Sequence, residues 1–183
     1  MTRVFIGGSR EIKNLSEAVM ARLENLIVNG HQVLLGDASG VDRLVQTYFA
    51  EKGYQNVMVF CAGNTCRNNV GQWEVQNVTA NGLHSGFAFY ALKDLRMAQE
   101  ADYGFMLWDA KSNGTLNNML NLLERNKKSL TWLSHEDAFY TLRQGQDLRD
   151  LLAKCTAANL AKFEAKLSLS KRIESVQAEL AFV

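Results

Sequence analysis

Val33-Leu34-Leu35-Gly36-Asp37-Ala38-Ser39-Gly40-Val41-Asp42 sets an apolar run of strand length directly before two glycines and two carboxylates. A helical spacing follows, with Val41, Leu44, Val45, Tyr48 and Phe49 apolar and Gly53 closing it. A short apolar run without alternation is the pattern of a strand covered on both faces, as in a parallel sheet. Glycine at a strand-to-helix turn lets the backbone approach a ligand, and the amides that open the next helix favour an anion there. The same unit occurs twice more. Val4-Phe5-Ile6 leads into Gly7-Gly8-Ser9-Arg10, and Met106-Leu107-Trp108-Asp109 leads through Ser112-Asn113-Gly114-Thr115. One such loop is explained by a tight turn; three at the carboxyl ends of predicted parallel strands point to a crevice for phosphate or nucleotide.

Working outward, Asn14 and Glu17 form a capping pair for a helix over 15–28, which Gly30 ends. Residues 57–60 read as the third strand. Residues 61–85 break the rhythm, with turn formers from Cys61 to Asn69 and an extra strand or an excursion over 72–79. A helix over 87–100, a strand over 103–108, a helix over 115–125 and a strand over 129–133 complete the alternation. The expectation is an α/β domain over 1–145 with a doubly wound, mainly parallel, five-stranded sheet, its crossovers right-handed. Ligands bind such sheets beyond the strands' carboxyl ends, at the switch in strand order. After Gln146, Leu148, Leu151, Leu152, Leu160, Phe163, Leu167, Ile173 and Val176 recur at helical intervals. Residues 146–183 are therefore read as a helical extension that covers the sheet or a second subunit, and a homo-oligomer is expected.

The chain has 183 residues, 20 Lys and Arg against 19 Asp and Glu, and 47% hydrophobic residues. A near-neutral balance gives no support for a general polyanion binder, so nucleic acid is not expected as a partner. No apolar stretch approaches the ~20 residues of a membrane span, and the amino terminus lacks a signal-peptide pattern. Three cysteines without a framework of spacings favour a reducing compartment, and a cytoplasmic location is expected. No proline is present.

Each glycine string offers different chemistry. In the first, Gly7, Gly8, Ser9 and Arg10 present backbone, a hydroxyl and a bidentate fork for phosphate. In the second, Asp37 and Asp42 surround Gly36 and Gly40; carboxylates repel phosphate, so they are read as facing a sugar, as catalytic acids or as helix caps. In the third, Asp109 precedes Ser112, Gly114 and Thr115, with Thr115 as N-cap and Asn117 and Asn118 in the first helical turns. Arg67 and Asn68 follow the third strand as further ligand contacts, with Trp73 nearby as a stacking or packing ring. Neither G-x-G-x-x-G nor a Walker A string occurs, nor a Gly-x-Ser-x-Gly elbow. Cys61 and Cys66 read as ordinary thiols, His31, His84 and His135 are scattered, and no metal or cofactor is expected.

Strand-Gly-Ser-Arg, then Gly36-Asp37-Ala38-x-Gly40-x-Asp42, then Arg67-Asn68 and a later Gly114-Thr115 resemble the SLOG superfamily. That group includes the LOG phosphoribohydrolases and the DNA-processing DprA proteins, and the nearest likeness is to a small YspA-like branch. The resemblance runs from about residue 3 to residue 133. It implies a Rossmann-like fold that binds a nucleotide or nucleotide-derived ligand. LOG enzymes hydrolyse the N-glycosidic bond of a nucleoside monophosphate. By that likeness Asp37, Asp42 or Asp109 would supply a carboxylate here, because Asn117 and Asn118 stand where the family carries acids. The alternative is a sensor that binds a nucleotide signal without turning it over.

Overall fold

The computed structural model describes residues 1–79, 82 and 85–180. Its sheet has seven strands, β1 (Arg3–Gly8), β2 (Gln32–Gly36), β3 (Val57–Ala62), β4 (Glu74–Val78), β5 (Tyr103–Trp108), β6 (Ser129–Leu133) and β7 (Ala138–Leu142). They lie in the order β4-β3-β2-β1-β5-β6-β7, all parallel except β7, which pairs antiparallel with β6. The chain winds outward from β1 to β4 and then crosses to β5 on the other side of β1. The switch in strand order therefore falls between β1 and β5.

Five strands were expected, and the two additional ones explain why. β4 is an edge strand, largely exposed along Glu-Val-Gln-Asn-Val, so it carries no apolar run for the eye to catch. β7 is the return arm of a hairpin, turned through Asp137 at φ 47°, and its half-buried residues lack the continuous hydrophobicity of a central strand.

Strand parity divides the core into two layers. Val4, Ile6, Val33, Leu35 and Val59 face α1 (Glu17–Val28) and α2 (Val41–Glu51), whose Val19, Leu23, Val45 and Phe49 are buried against them. Phe5, Leu34, Phe60, Met106 and Trp108 face the other way, toward α3 (Gly86–Glu100) and α4 (Asn113–Leu123). The same second layer includes residues of α5 (Gly145–Leu152), α6 (Ala157–Leu167) and α7 (Leu169–Leu180). Leu148, Leu151, Leu152, Phe163, Leu167, Ile173 and Val176 are buried there within this one chain. Phe163 packs on Trp108 with ring centroids 5.8 Å apart. Arg172 of α7 reaches α4, donating to Asn117 Oδ1 at 2.7 Å, Asn121 Oδ1 at 2.9 Å and both Glu124 oxygens.

Helix starts differ in detail from the sequence reading. Ser16, rather than Asn14, caps α1 through its hydroxyl. Ser112, rather than Thr115, caps α4 and accepts from the Thr115 amide at 3.3 Å. At α2 the cap is Gly40 at φ 75°, with no side-chain bond, so Asp37 does not cap that helix. A Cβ on Gly40 would lie 2.4 Å from the Arg10 backbone, which makes glycine there the condition for the first two loops to pack. Among the described residues no helix is long and apolar enough to cross a membrane.

Candidate functional site

A crevice of about 1390 Å³ opens over the carboxyl edge of the sheet at the β1/β5 switch. Its two central strand ends are tied together: the Ser9 hydroxyl donates to Asp109 Oδ2 at 2.7 Å, and the Ser9 amide donates to the Leu107 carbonyl at 3.0 Å. Asp109 Oδ1 in turn accepts from the amides of Lys111 and Ser112 at 3.0 and 2.9 Å. Between them Ala110 sits in the left-handed region at φ 60°, an uncommon conformation for a residue with a Cβ, held by this double hydrogen bond. Asp109, a candidate catalytic acid by sequence, lines the crevice with both oxygens engaged in its rim.

The rim carries the helix start as well. Ser112 Oγ accepts from both the amide and the hydroxyl of Thr115, so these two hydroxyls hold one another. The Asn113 and Gly114 amides, in the first turn of α4, have no hydrogen-bond partner among the described residues, and they carry the positive end of the helix dipole. Seven Lys and Arg residues line the crevice against four Asp and Glu.

The second loop splits into two arrangements. Asp37 is fully buried and does not line the crevice. Its Oδ2 accepts from the Arg67 amide and Nε at 3.1 Å each, and its Oδ1 from Arg67 Nη2 at 2.6 Å. The Asn68 side chain donates to the Asp37 carbonyl at 2.9 Å. Burial pushes the Asp37 carboxyl upward, but the Arg67 hydrogen bonds and charge prevail and hold it below its ordinary value. Asp37 and Asn68 thus form a closed knot with Arg67, outside the crevice lining. Arg67 itself lines the crevice and lies over the Tyr90 ring, 4.3 Å from its centroid, with Arg10 5.7 Å from the same ring.

Asp42, by contrast, lines the crevice beside Lys93. Its Oδ2 accepts from the Ala38 amide at 3.1 Å. Burial lifts the carboxyl to about 6, against the opposing pull of the Lys93 charge. Burial works the other way on Lys93, yet the Asp94 and Asp42 carboxylates keep its ammonium above the ordinary value. Gly36 is absent from the crevice lining because Asp42 and Lys93 fill the space its missing side chain leaves: a Cβ there would lie 2.3 Å from Asp42 Oδ2 and 2.6 Å from Lys93 Nζ. Gly8 lines the crevice, and on its other side a Cβ would meet the Leu107 carbonyl at 2.5 Å and Val41 at 2.7 Å.

The structure therefore brings Gly7, Gly8, Ser9, Arg10, Asp42, Arg67, Asp109, Ser112, Gly114, Thr115 and Asn117 to one cavity, and leaves Gly36, Asp37, Gly40 and Asn68 behind its wall. Sequence reasoning missed Lys93 and Tyr90 on α3, and Lys154, Asn159 and Lys162 from the carboxyl-terminal helices. Lys93 left a signal, since it stands four residues before the buried Met97 on an inward-facing stripe. Trp73 is packing: it is buried, and its indole N–H donates to the Tyr54 carbonyl at 2.8 Å.

Cys61 and Cys66 are joined as a disulfide with Cα atoms 5.1 Å apart, which corrects their reading as ordinary thiols and removes the cysteine argument for a reducing compartment. Cys155 is free, and burial pushes its thiol up to about 11. His84 lies outside the described residues.

No family model matches the chain, and no curated protein matches it. Among solved structures it is similar to DNA processing protein A from Helicobacter pylori, described for its single-stranded DNA binding mode. The TM-score is 0.56 at 13% identity, covering 71% of this chain and 64% of that one, less than two thirds of its length. At that identity the likeness establishes the Rossmann-like fold, which the SLOG resemblance implied through its DprA members. It also overturns the expectation that excluded nucleic acid, because a protein of this fold binds single-stranded DNA. That expectation rested on whole-chain charge, which averages away the cationic excess lining the crevice.

Proposed function

We propose that the crevice binds a nucleotide unit, free or within a single strand, with phosphate at the turn between β5 and α4 and sugar toward Asp42. The observation that carries this reading is the placement of two unpartnered helix amides, Asn113 and Gly114, on a cation-rich crevice at the switch point. Arg67 stacked over Tyr90 at the same crevice adds a planar cationic surface suited to a base. DNA processing protein A binds single-stranded DNA, and a nucleotide unit is the chemistry that a free ligand and a strand share. The Gly36–Asp42 string supports placing the chain in the YspA-like branch of the SLOG superfamily.

Asp42 is the group suited to turnover. A carboxyl near 6 in a buried site can exchange a proton at neutral pH. Hydrolysis would add the oxygen of water to the anomeric carbon while the carbon–nitrogen bond breaks and the base leaves with a proton. The binding-only reading has its own support: Asn117, at a position where the family carries an acid, is an amide held by Arg172.

Incubation with nucleoside mono-, di- and triphosphates and with a short oligodeoxythymidylate, read by calorimetry and by chromatography for released base, tests both. Base release lost in Asp42→Asn supports hydrolysis. Binding without release supports the sensor, and absence of binding to every member overturns the nucleotide reading.

A further inference from the structure

Two glycines on neighbouring strands open the floor of the crevice. Phe5 of β1 pairs with Leu34 of β2, both on the layer that faces α3 and α4. Two residues further along each strand, on that same face, stand Gly7 and Gly36. From the strands the Phe5 ring reaches this area, its edge 3.2 Å from where a Cβ on Gly7 would be. Beside it one polar side chain arrives from each of three helices: Asp42 from α2, Lys93 from α3 and Asn118 from α4. Asp42 and Lys93 close over Gly36, and Asn118 Nδ2 lies 3.2 Å from where a Cβ on Gly7 would be. They are 6%, 3% and 5% exposed, and all three line the crevice.

Their hydrogen-bonding capacity is far from used. Lys93 Nζ gives one bond to Asp94 Oδ1 at 2.7 Å, leaving two N–H donors. Asp42 Oδ2 takes the Ala38 amide, while Oδ1 has no partner among the described residues. Asn118 Oδ1 is buried without a partner. A buried polar atom left unpaired costs about 1–3 kcal/mol, so a group of this kind points to something that completes it. The completing group is constrained. An anion would meet the Asp42 and Asp94 carboxylates, and an apolar ring would leave all three side chains unpaired. Neighbouring hydroxyls fit, because each can donate to Asp42 or Asn118 while accepting from Lys93.

We infer that this floor recognises the vicinal hydroxyls of a ribose, so that the chain selects ribonucleotides over their 2′-deoxy counterparts. The inference deepens the proposed nucleotide site and rests on it for the ligand's remaining parts. Asn118 is the specificity residue: its amide meets a hydroxyl that the deoxy ligand lacks.

Calorimetric titration of the full chain with adenosine 5′-monophosphate and its 2′-deoxy form, and with ribose 5-phosphate and 2-deoxyribose 5-phosphate, reads this out. A site built around a ligand hydroxyl rejects the analogue lacking it, and the expected preference is at least about tenfold. In Asn118→Leu, close in volume, the preference falls toward one; Asn118→Ala repeats the measurement should the leucine variant melt early. Equal affinity for ribose and deoxyribose forms overturns the inference and leaves the nucleotide site standing, as does a preference unchanged in both variants. Binding of ribose 5-phosphate over its deoxy form without binding of the nucleotide overturns the nucleotide reading and keeps the floor. No binding of any of the four overturns both.

Discussion

Asp37 and Asp42 leave the same loop, yet one is sealed and the other is open to a ligand. Asp37 meets a guanidinium that satisfies both of its oxygens and a backbone amide beside it. Asp42 feels the charge of an ammonium whose hydrogen bond goes to Asp94, and one of its oxygens has no partner among the described residues. The same contrast recurs one helix away. Asn117 is held by Arg172, while its neighbour Asn118 has a buried oxygen without a partner. Residue type alone does not separate the two kinds of position; saturation of hydrogen bonds does.

The largest expected effect lies on the sealed side. Arg67→Ala strands a carboxylate whose side chain is 1% exposed. The cost should be about 2–3 kcal/mol in urea denaturation, below the range for a wholly enclosed pair because Arg67 is itself partly exposed. A loss within the noise of the measurement would break the contrast at once.

The two aspartates should also respond to pH with opposite signs. The Asp42 carboxyl is raised from an ordinary 3.8 to about 6 in the folded chain. Its contribution is therefore fully present below 3.8 and lost as pH rises through about 6, at most about 3 kcal/mol. Asp37 is depressed, so its contribution is present above 3.8 and lost as pH falls through its lowered value. Denaturation midpoints followed from pH 7 to pH 5 should accordingly flatten in Asp42→Asn and keep their course in Asp37→Asn. Equal flattening in both variants would erase the distinction.

Gly36→Ala places a methyl against Asp42 and Lys93 at distances no real side chain tolerates. A destabilisation of about 2 kcal/mol and loss of nucleotide affinity are expected. Gly7→Ala meets Asn118 and the Phe5 ring, each at 3.2 Å, where a small shift suffices, so affinity should fall while the midpoint moves by about 1 kcal/mol or less. Smallest in its effect on the ligand is Arg172→Met. It removes the charged bonds that hold Asn117, Asn121 and Glu124, on a side chain only 21% exposed. About 1 kcal/mol should be lost, with the ribose preference intact; a changed preference would mean that Asn117 and Asn118 act together.

Much of this arrangement was legible in the chain. The apolar runs ending in Gly7, Gly36 and Trp108 announced parallel strands because a strand buried on both faces must be apolar throughout. β4 was legible only as an extra strand or an excursion over 72–79, and β7 not at all, for the converse reason: half-exposed strands at the sheet margins carry no such run. The first and third glycine strings announced the crevice, since strand ends and helix starts are local features. The bond that holds Asp37 in the second string was not legible, because its partner Arg67 lies 30 residues away and is brought to it by the β2–β3 pairing.

Local order along the chain, through hydrophobic period and glycine punctuation, is enough to dictate an α/β sheet and the edge at which a ligand would sit. It says nothing of which carboxylate finds an arginine and which is left with an unpartnered oxygen. Those assignments depend on side chains from α2, α3 and α4 meeting above a pair of glycines on adjacent strands. Only the packed sheet brings the two glycines side by side, and only burial there turns an aspartate, a lysine and an asparagine into one polar floor.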